Sequence, residues 1–282
     1  MKRKVFAFIG LNWSVHRVVL GIEKNLNTEF EFRYLDSTEH YTAYQFMKLY
    51  NWCDVVLTNL ETIRTLKACF PSIEFKKILF ISHGAIENRV VKEYDSNSCY
   101  GMTSNVLKNL FPSHLKLYLT PNGVDPSIFK YKERDGSLKK LGWGGCPTIP
   151  SKRVEWAHEI SKRTNLPLSI GYGMTFEEII DWYHTIDLLI VTAGPDLYSE
   201  TGPLPAFEAI VSGVPVLGTY VGNFANIPGP KFFNLDDACS MIEYLRDNPL
   251  RMKQIANEQY EYVMNNYTYE KLAPLWKKAL MT

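Results

Sequence analysis

The sequence predicts an α/β protein built from two Rossmann-like halves, and three observations carry that prediction. Short apolar runs alternate with stretches of helical spacing along nearly the whole chain, the signature of β-α-β units on a parallel sheet. The alternation breaks once, at the charged stretch YKERDGSLKK (131–140), and then restarts. The length of 282 residues suits two domains, each of about 130 to 150 residues and each able to bury a core.

In order along the chain, apolar runs predict strands over 5–9, 30–35, 55–57, 78–81 and 115–119, with helices over 15–26, 41–50 and 106–110. After the break the spacing predicts a strand over 138–143, a helix over 152–164 and a strand over 168–170. A helix over 175–184 leads to a strand over 186–191, a helix over 203–212 and a strand over 214–217. Helices over 236–246, 251–264 and 269–279 close the chain, with Asp236 as an N-cap and Pro249 after the end of its helix. The expected domains are 1–132 and 133–262, with 263–282 a C-terminal helix packing back toward the first.

Bulk chemistry excludes several classes. Apolar residues make up 46% of the chain, and 31 basic against 30 acidic residues leave a net charge of +1. That balance lacks the one-signed field a nucleic-acid binder needs. Five scattered cysteines without a C-x-x-C pair read as reduced intracellular thiols, so the expected location is the cytoplasm. The start MKRKVFAFIGLNW has a basic lead, but Asn12 and Trp13 interrupt its short apolar run, so it reads as a first strand ending at Gly10. No stretch reaches the ~18 apolar residues of a membrane span. The basic set Arg64, Lys67, Lys76 and Lys77 reads as a solvated face, leaving membrane contact at most peripheral.

Open parallel sheets bind ligands in the crevice at the carboxyl ends of their strands, so the loops after strands are where function is sought. One such loop enters SETGPLPAFEAIVSGVPVL (199–217). Proline fits a first helical position, which makes Pro203 the expected helix start. Glu200 then lies in the loop, and Glu208 about one and a half turns inside the helix. Eight residues of continuous helix separate two side chains by about 80 degrees and 12 Å. The pair is suited to gripping separated parts of one elongated ligand. Amides at the helix start, from Thr201, Gly202, Leu204 and Ala206, can meet a phosphate with help from the helix dipole.

This stretch resembles the E-x7-E motif of the retaining glycosyltransferases of family 4, which have the GT-B fold. Glu200 and Glu208 are followed by Ala209, Ser212, Gly213, Val214, Pro215 and Val216, like the family's E-A-x-x-S-G-x-P-V. Upstream, LTPNGVDPSIF (119–129) resembles P-N-G-V-D-x-x-x-F at the end of that family's first domain. ISHG (81–84), MTSNVLKNLF (102–111) and TFEEIIDWYHTIDLLIV (175–191) are similar to further family segments, so the resemblance runs from about residue 78 to 218. The small size is similar to that of compact virus-encoded members.

The resemblance implies two Rossmann-like domains facing each other across a cleft, a nucleotide diphosphate sugar as donor and retention at the anomeric carbon. It implies that Glu208 binds the donor ribose, that Glu200 binds the transferred sugar, and that the amides of Thr201, Gly202 and Leu204 face the sugar and diphosphate. Lys152 or Arg153 corresponds to the family's phosphate-binding lysine. At the arginine position stands Gly145 or Cys146, and Pro203 replaces a glycine that would donate an amide. His83 falls on the family's strand-end histidine; it acts near the sugar carbon, binds an acceptor, or serves as a structural hydrogen-bonding group. Gly10 and His16 lie in the first strand–helix loop, where an acceptor would approach, although His16 can equally cap the helix.

The implied reaction moves a hexose to an acceptor hydroxyl on a glycan, glycoprotein or lipid-linked saccharide. GDP-mannose is the first expected donor and UDP-glucose the second, with no cofactor or metal required. Two other readings stand beside it. A non-catalytic nucleotide-sugar binder is motivated by the missing arginine and by Pro203. A nicotinamide-dependent oxidoreductase is motivated by GWGG (142–145), but GYGM (171–174) lacks the acidic residue that would hold a ribose. Asn122 and Asp125 read as turn makers, and the aromatic run 41–52 as core.

Overall fold

The computed structural model describes residues 1–11, 14–84, 91, 94–194 and 200–282. Asn12, Trp13 and the 195–199 part of the loop before Glu200 lie outside the described residues. The chain divides into two compact units, Met1–Gly123 with Tyr269–Thr282, and Val124–Thr268. Residues 124–132, which the sequence pattern assigns to the first domain, are tied into the second unit. Val124 N donates to Tyr267 O at 3.0 Å and Lys132 N to Ser212 O at 3.2 Å.

The first unit carries strands β1 (Arg3–Ile9), β2 (Phe30–Asp36), β3 (Val55–Asn59), β4 (Ile78–Ser82), β5 (Cys99–Met102) and β6 (Lys116–Leu119). All pair in parallel, in the order β2-β1-β3-β4-β5-β6. Both faces of the inner strands are covered, which is why β3 and β4 are buried at every position and begin as apolar runs, turning polar only at their carboxyl ends. Helices α1 (Ser14–Leu26), α2 (Ala43–Trp52) and α3 (Ile63–Cys69) connect the early strands. Thr42 and Gln45 form a capping box that starts α2. Phe46, fully buried, stacks on Phe70 at 4.2 Å and meets Phe6 and Phe8 edge-on, so this aromatic run is core at its inward face.

The sequence pattern does not predict β5 or α3, and residues 105–110 form a 3-10 helix where an α-helix is expected. Strand β5 is four residues containing Gly101, too short and too weak in local preference to stand out; β4 and β6 on either side supply its pairing.

The second unit has a four-stranded parallel sheet of β7 (Leu141–Gly144), β8 (Leu168–Gly171), β9 (Leu188–Val191) and β10 (Val216–Gly218), in the order β10-β9-β7-β8. Its helices are α4 (Val154–Thr164), α5 (Phe176–Tyr183), α6 (Leu204–Val211), α7 (Leu235–Asp247) and α8 (Pro249–Asn266). The core joins Leu141 and Trp143 of β7 to Leu188 and Ile190 of β9, Ile160 of α4, and Ile242 and Leu245 of α7. Edge strand β10 is covered by a side chain. Gln259 of α8 accepts from Val216 N and donates to Val216 O, both at 2.8 Å, standing in for a neighbouring strand.

Three boundaries differ from expectation. Pro203 is the N-cap of α6 with φ −66° and ψ 96°, and the helix begins at Leu204. Asn234, not Asp236, caps α7, its side chain accepting from Asp237 N at 2.8 Å. Pro249 opens α8, where its missing N–H costs nothing.

The final helix α9 (Tyr269–Leu280) belongs to the first unit and packs against α1 and β6. Gly21 of α1 gives it room: a Cβ there would stand 2.3 Å from the Tyr269 ring. The fully buried Trp276 donates its indole N–H to Pro121 O at 3.0 Å. Among the described residues, no helix is long and apolar enough to cross a membrane.

Candidate functional site

In the second unit the chain runs from β7 outward to β8, then returns past β7 to β9 and β10. The direction of winding reverses between β7 and β9, so the crevice predicted for ligands opens at their carboxyl ends. A hollow of about 20 Å³ lies there, lined by Trp143, Gly144, Lys152, Val191, Thr192, Ala193, Glu200, Pro203 and Pro205. Glycine at 144 lets α6 come close: a Cβ would stand 3.0 Å from Pro205 Cβ. The GWGG segment therefore ends a strand, and its Gly144 serves close packing of a helix start.

Two of the sequence-predicted residues meet in this hollow. The Lys152 ammonium is paired with Glu200 Oε2, and their side chains are 27% and 11% exposed. Lys152 is placed by its backbone. It ends a 3-10 turn (Pro150–Lys152), and its carbonyl accepts from Thr192 Oγ1 at 2.8 Å. Thr192 in turn accepts from Trp143 Nε1 at 2.8 Å, and Gly194 N donates to Ser151 O at 2.8 Å. The end of β7, the turn before α4 and the loop after β9 are thus locked together. Thr192 and Trp143 escaped the sequence reading because nothing local marks one buried threonine as a hub.

Arg153 adopts a left-handed backbone (φ 50°, ψ 53°) as it leads into α4. Its guanidinium lies over the Trp156 ring at 4.5 Å, so Lys152 is the member of this basic pair that lines the hollow. At the position where an arginine is expected, Gly145 has φ +152° and Cys146 turns its sulfur to Thr148 Oγ1 at 3.1 Å. Hydrogen bonding from Thr148, and then from Tyr172, holds the Cys146 thiol below its ordinary pKa.

Thr201, Gly202, Pro203 and Leu204 are all buried. The Thr201 carbonyl accepts from Asn223 N at 3.0 Å, and Gly222 (φ +43°) presses on the Thr201 backbone so tightly that a Cβ would come within 2.4 Å of it. This contact fixes the loop that delivers Glu200. Glu208 lies inside α6, 4% exposed, and accepts a hydrogen bond at Oε2 from the Tyr183 hydroxyl at 2.8 Å. Tyr183 is anchored from behind by Arg134, whose guanidinium donates to its carbonyl at 2.9 Å. The sequence pattern places Tyr183 at the end of α5 but gives no sign of its bond to Glu208.

The remaining predicted residues lie in the first unit. Gly10 is buried at the end of β1, and His83 follows β4, half-buried. His16 makes a local bond, its Nδ1 standing 2.6 Å from Leu11 O, and its ring meets Tyr34 edge-on at 5.3 Å.

Two parallel-sheet units with these crossings have the fold of the GT-B glycosyltransferases. No protein-family model matches the chain, and no curated protein does. Among solved structures it is similar to Anabaena HepE in complex with UDP-glucose, with a TM-score of 0.72 and 12% identity over 100% of both chains. It is also similar to the catalytic domain of starch synthase IV from Arabidopsis thaliana bound to ADP and acarbose, with a TM-score of 0.64, 11% identity and coverage of 100% of this chain and 99% of that one. A third is AviGT4, a glycosyltransferase involved in avilamycin A biosynthesis, with a TM-score of 0.61, 12% identity and coverage of 99% and 97%.

Proposed function

We propose that this protein is a retaining glycosyltransferase that moves a hexose from a nucleotide diphosphate sugar to an acceptor hydroxyl, as its resemblance to family 4 implies. The observation that carries the reading is the Lys152–Glu200 pair at the β7/β9 switch point, with Glu208 one helix-length segment further on. Lys152 takes the charge that develops on the departing diphosphate. Glu200 accepts from hydroxyls of the transferred sugar, and Glu208 from the ribose, since a carboxylate offers two acceptor oxygens. The acceptor hydroxyl approaches on the face from which the diphosphate leaves, so no protein nucleophile is required.

The family resemblance puts GDP-mannose first and UDP-glucose second, with no residue separating a guanine from a uracil pocket, and the likeness to HepE solved with UDP-glucose supports UDP-glucose. Calorimetric titration with both and with NAD, on the natural protein and on Glu208→Ala, tests the reading. Nanomolar to micromolar binding of one nucleotide sugar, weakened in the variant, supports it. Equal affinity in the two proteins removes the ribose role. A second reading, a sugar-nucleotide binder without catalysis, is favoured by Gly145 and Cys146 at the arginine position and by Pro203 at the helix start. Donor binding without hydrolysis or transfer of a radiolabelled sugar would select it.

A further inference from the structure

The sheet of the first unit also reverses its winding, between β1 and β3, because the chain passes from β1 out to β2 and back across to β3. Asn59 is the last residue of β3, and Glu61 lies in the 3-10 turn that follows (Leu60–Thr62). Asn59 is 5% exposed. Its Oδ1 and the Glu61 Oε2 are both buried, and neither has a hydrogen-bond partner among the described residues. Buried oxygens without donors are rare, and each needs a reason.

Slack in the turn is not that reason. Thr58 Oγ1 donates to Phe8 O at 2.6 Å, Thr62 Oγ1 donates to Asn59 O at 2.7 Å, and the two hydroxyl oxygens are 2.9 Å apart. These bonds hold the backbone while the two side chains keep unused acceptors. The Glu61 carboxyl is met by its own backbone N–H and by the Asn59 amide, which leaves Asn59 Oδ1 and Glu61 Oε2 without donors. Burial raises the Glu61 carboxyl above its ordinary pKa, a cost that donors brought by a ligand would relieve.

We infer that the carboxyl end of β3 is a subsite for a hydroxyl-rich, uncharged saccharide, whose hydroxyls donate to Asn59 Oδ1 and Glu61 Oε2. Two acceptor oxygens that lack donors suit a ligand that brings hydroxyl donors. A divalent cation would require more carboxylates, and among the described residues no group of three or more His, Cys, Asp or Glu stands together. As the acceptor subsite of a transferase, the assignment rests on the proposed function. As a saccharide site, it does not.

Saturation-transfer NMR on the full chain tests it, with methyl α-glucoside, methyl α-mannoside, methyl β-galactoside and spermidine as probes. Saturation should pass to at least one glycoside and fall at least fivefold in Asn59→Leu and in Glu61→Gln. Both variants should keep their calorimetric affinity for UDP-glucose or GDP-mannose. Should the leucine variant fail to fold, Glu61→Gln alone decides. Saturation of no glycoside, of spermidine instead, or of a glycoside equally in both variants overturns the subsite. Loss of donor binding by the natural protein, with glycoside binding still dependent on Asn59, overturns the transferase reading and leaves the subsite standing.

Discussion

The Lys152 ammonium is held by the Glu200 carboxylate at the carboxyl end of the second sheet, in a hollow of only about 20 Å³. A diphosphate cannot use that ammonium without competing with Glu200 for it. Replacing Glu200 by Gln should therefore tighten UDP or GDP binding several-fold while lowering transfer, because the sugar loses its acceptor. Lys152→Met should lower kcat/KM by about 10²–10³. Calorimetry with the free nucleotides, run beside initial rates, separates the effects; weaker UDP and GDP binding by Glu200→Gln would contradict competition for the lysine.

Tyr183 and Glu208 form the second relationship, 2.8 Å apart and shielded from solvent. A hydrogen bond to a charged acceptor contributes about 1.5–3 kcal/mol. Tyr183→Phe should lower stability by that amount in urea denaturation and weaken donor binding less than Glu208→Ala does. If Tyr183→Phe matches Glu208→Ala in lost donor affinity, the tyrosine contacts the donor itself.

Backbone crowding at Gly222 gives a third test. A Cβ there would come within 2.4 Å of the Thr201 backbone, at a φ of +43° that side chains rarely adopt. Gly222→Ala should cost about 2–4 kcal/mol, combining overpacking with left-handed strain, and should displace the loop that carries Glu200. Gly173 is the control. Its φ is +73° but nothing lies within 4 Å of the missing Cβ, so Gly173→Ala should cost only about 1 kcal/mol. Equal denaturation midpoints for the two variants would show that the Thr201 contact does not fix the loop.

Legibility followed how local the determining physics is. The parallel strands of the first unit and the helix carrying Glu208 were legible because fully buried strands read as apolar runs and α6 as a run entered through prolines. Strand β5 was not, since its four residues acquire their conformation from β4 and β6. In the site, Lys152 and Glu200 were named from motif position, but their pairing depends on Thr192 bridging Trp143 to the Lys152 carbonyl, a link across distant segments. Asn59 and Glu61 carry no motif at all. What marks them is two acceptors left unsatisfied after packing, and that exists only in the folded chain.

Lys231 offers a test of the second unit's packing through pH. Its ammonium donates to Ile227 O at 2.8 Å and to Gly229 O at 3.3 Å, and lies 4.4 Å from the Phe224 ring centroid. Burial pushes its pKa down to about 8, against about 10.4 for an unfolded lysine. Between these values the unfolded chain binds the proton that the folded chain has released, so this group makes stability rise with pH in that window. Below pH 8 both states are protonated, and the slope vanishes. In Lys231→Met the apolar stem over Phe224 is kept and the titration removed. The stability of the natural protein relative to this variant should be flat from pH 6 to 7.5 and climb from pH 8 to 10, other titrating groups cancelling in the difference. Urea midpoints at each pH measure it, and a flat or falling difference above pH 8 would mean that the ammonium is as well solvated in the fold as in the unfolded chain.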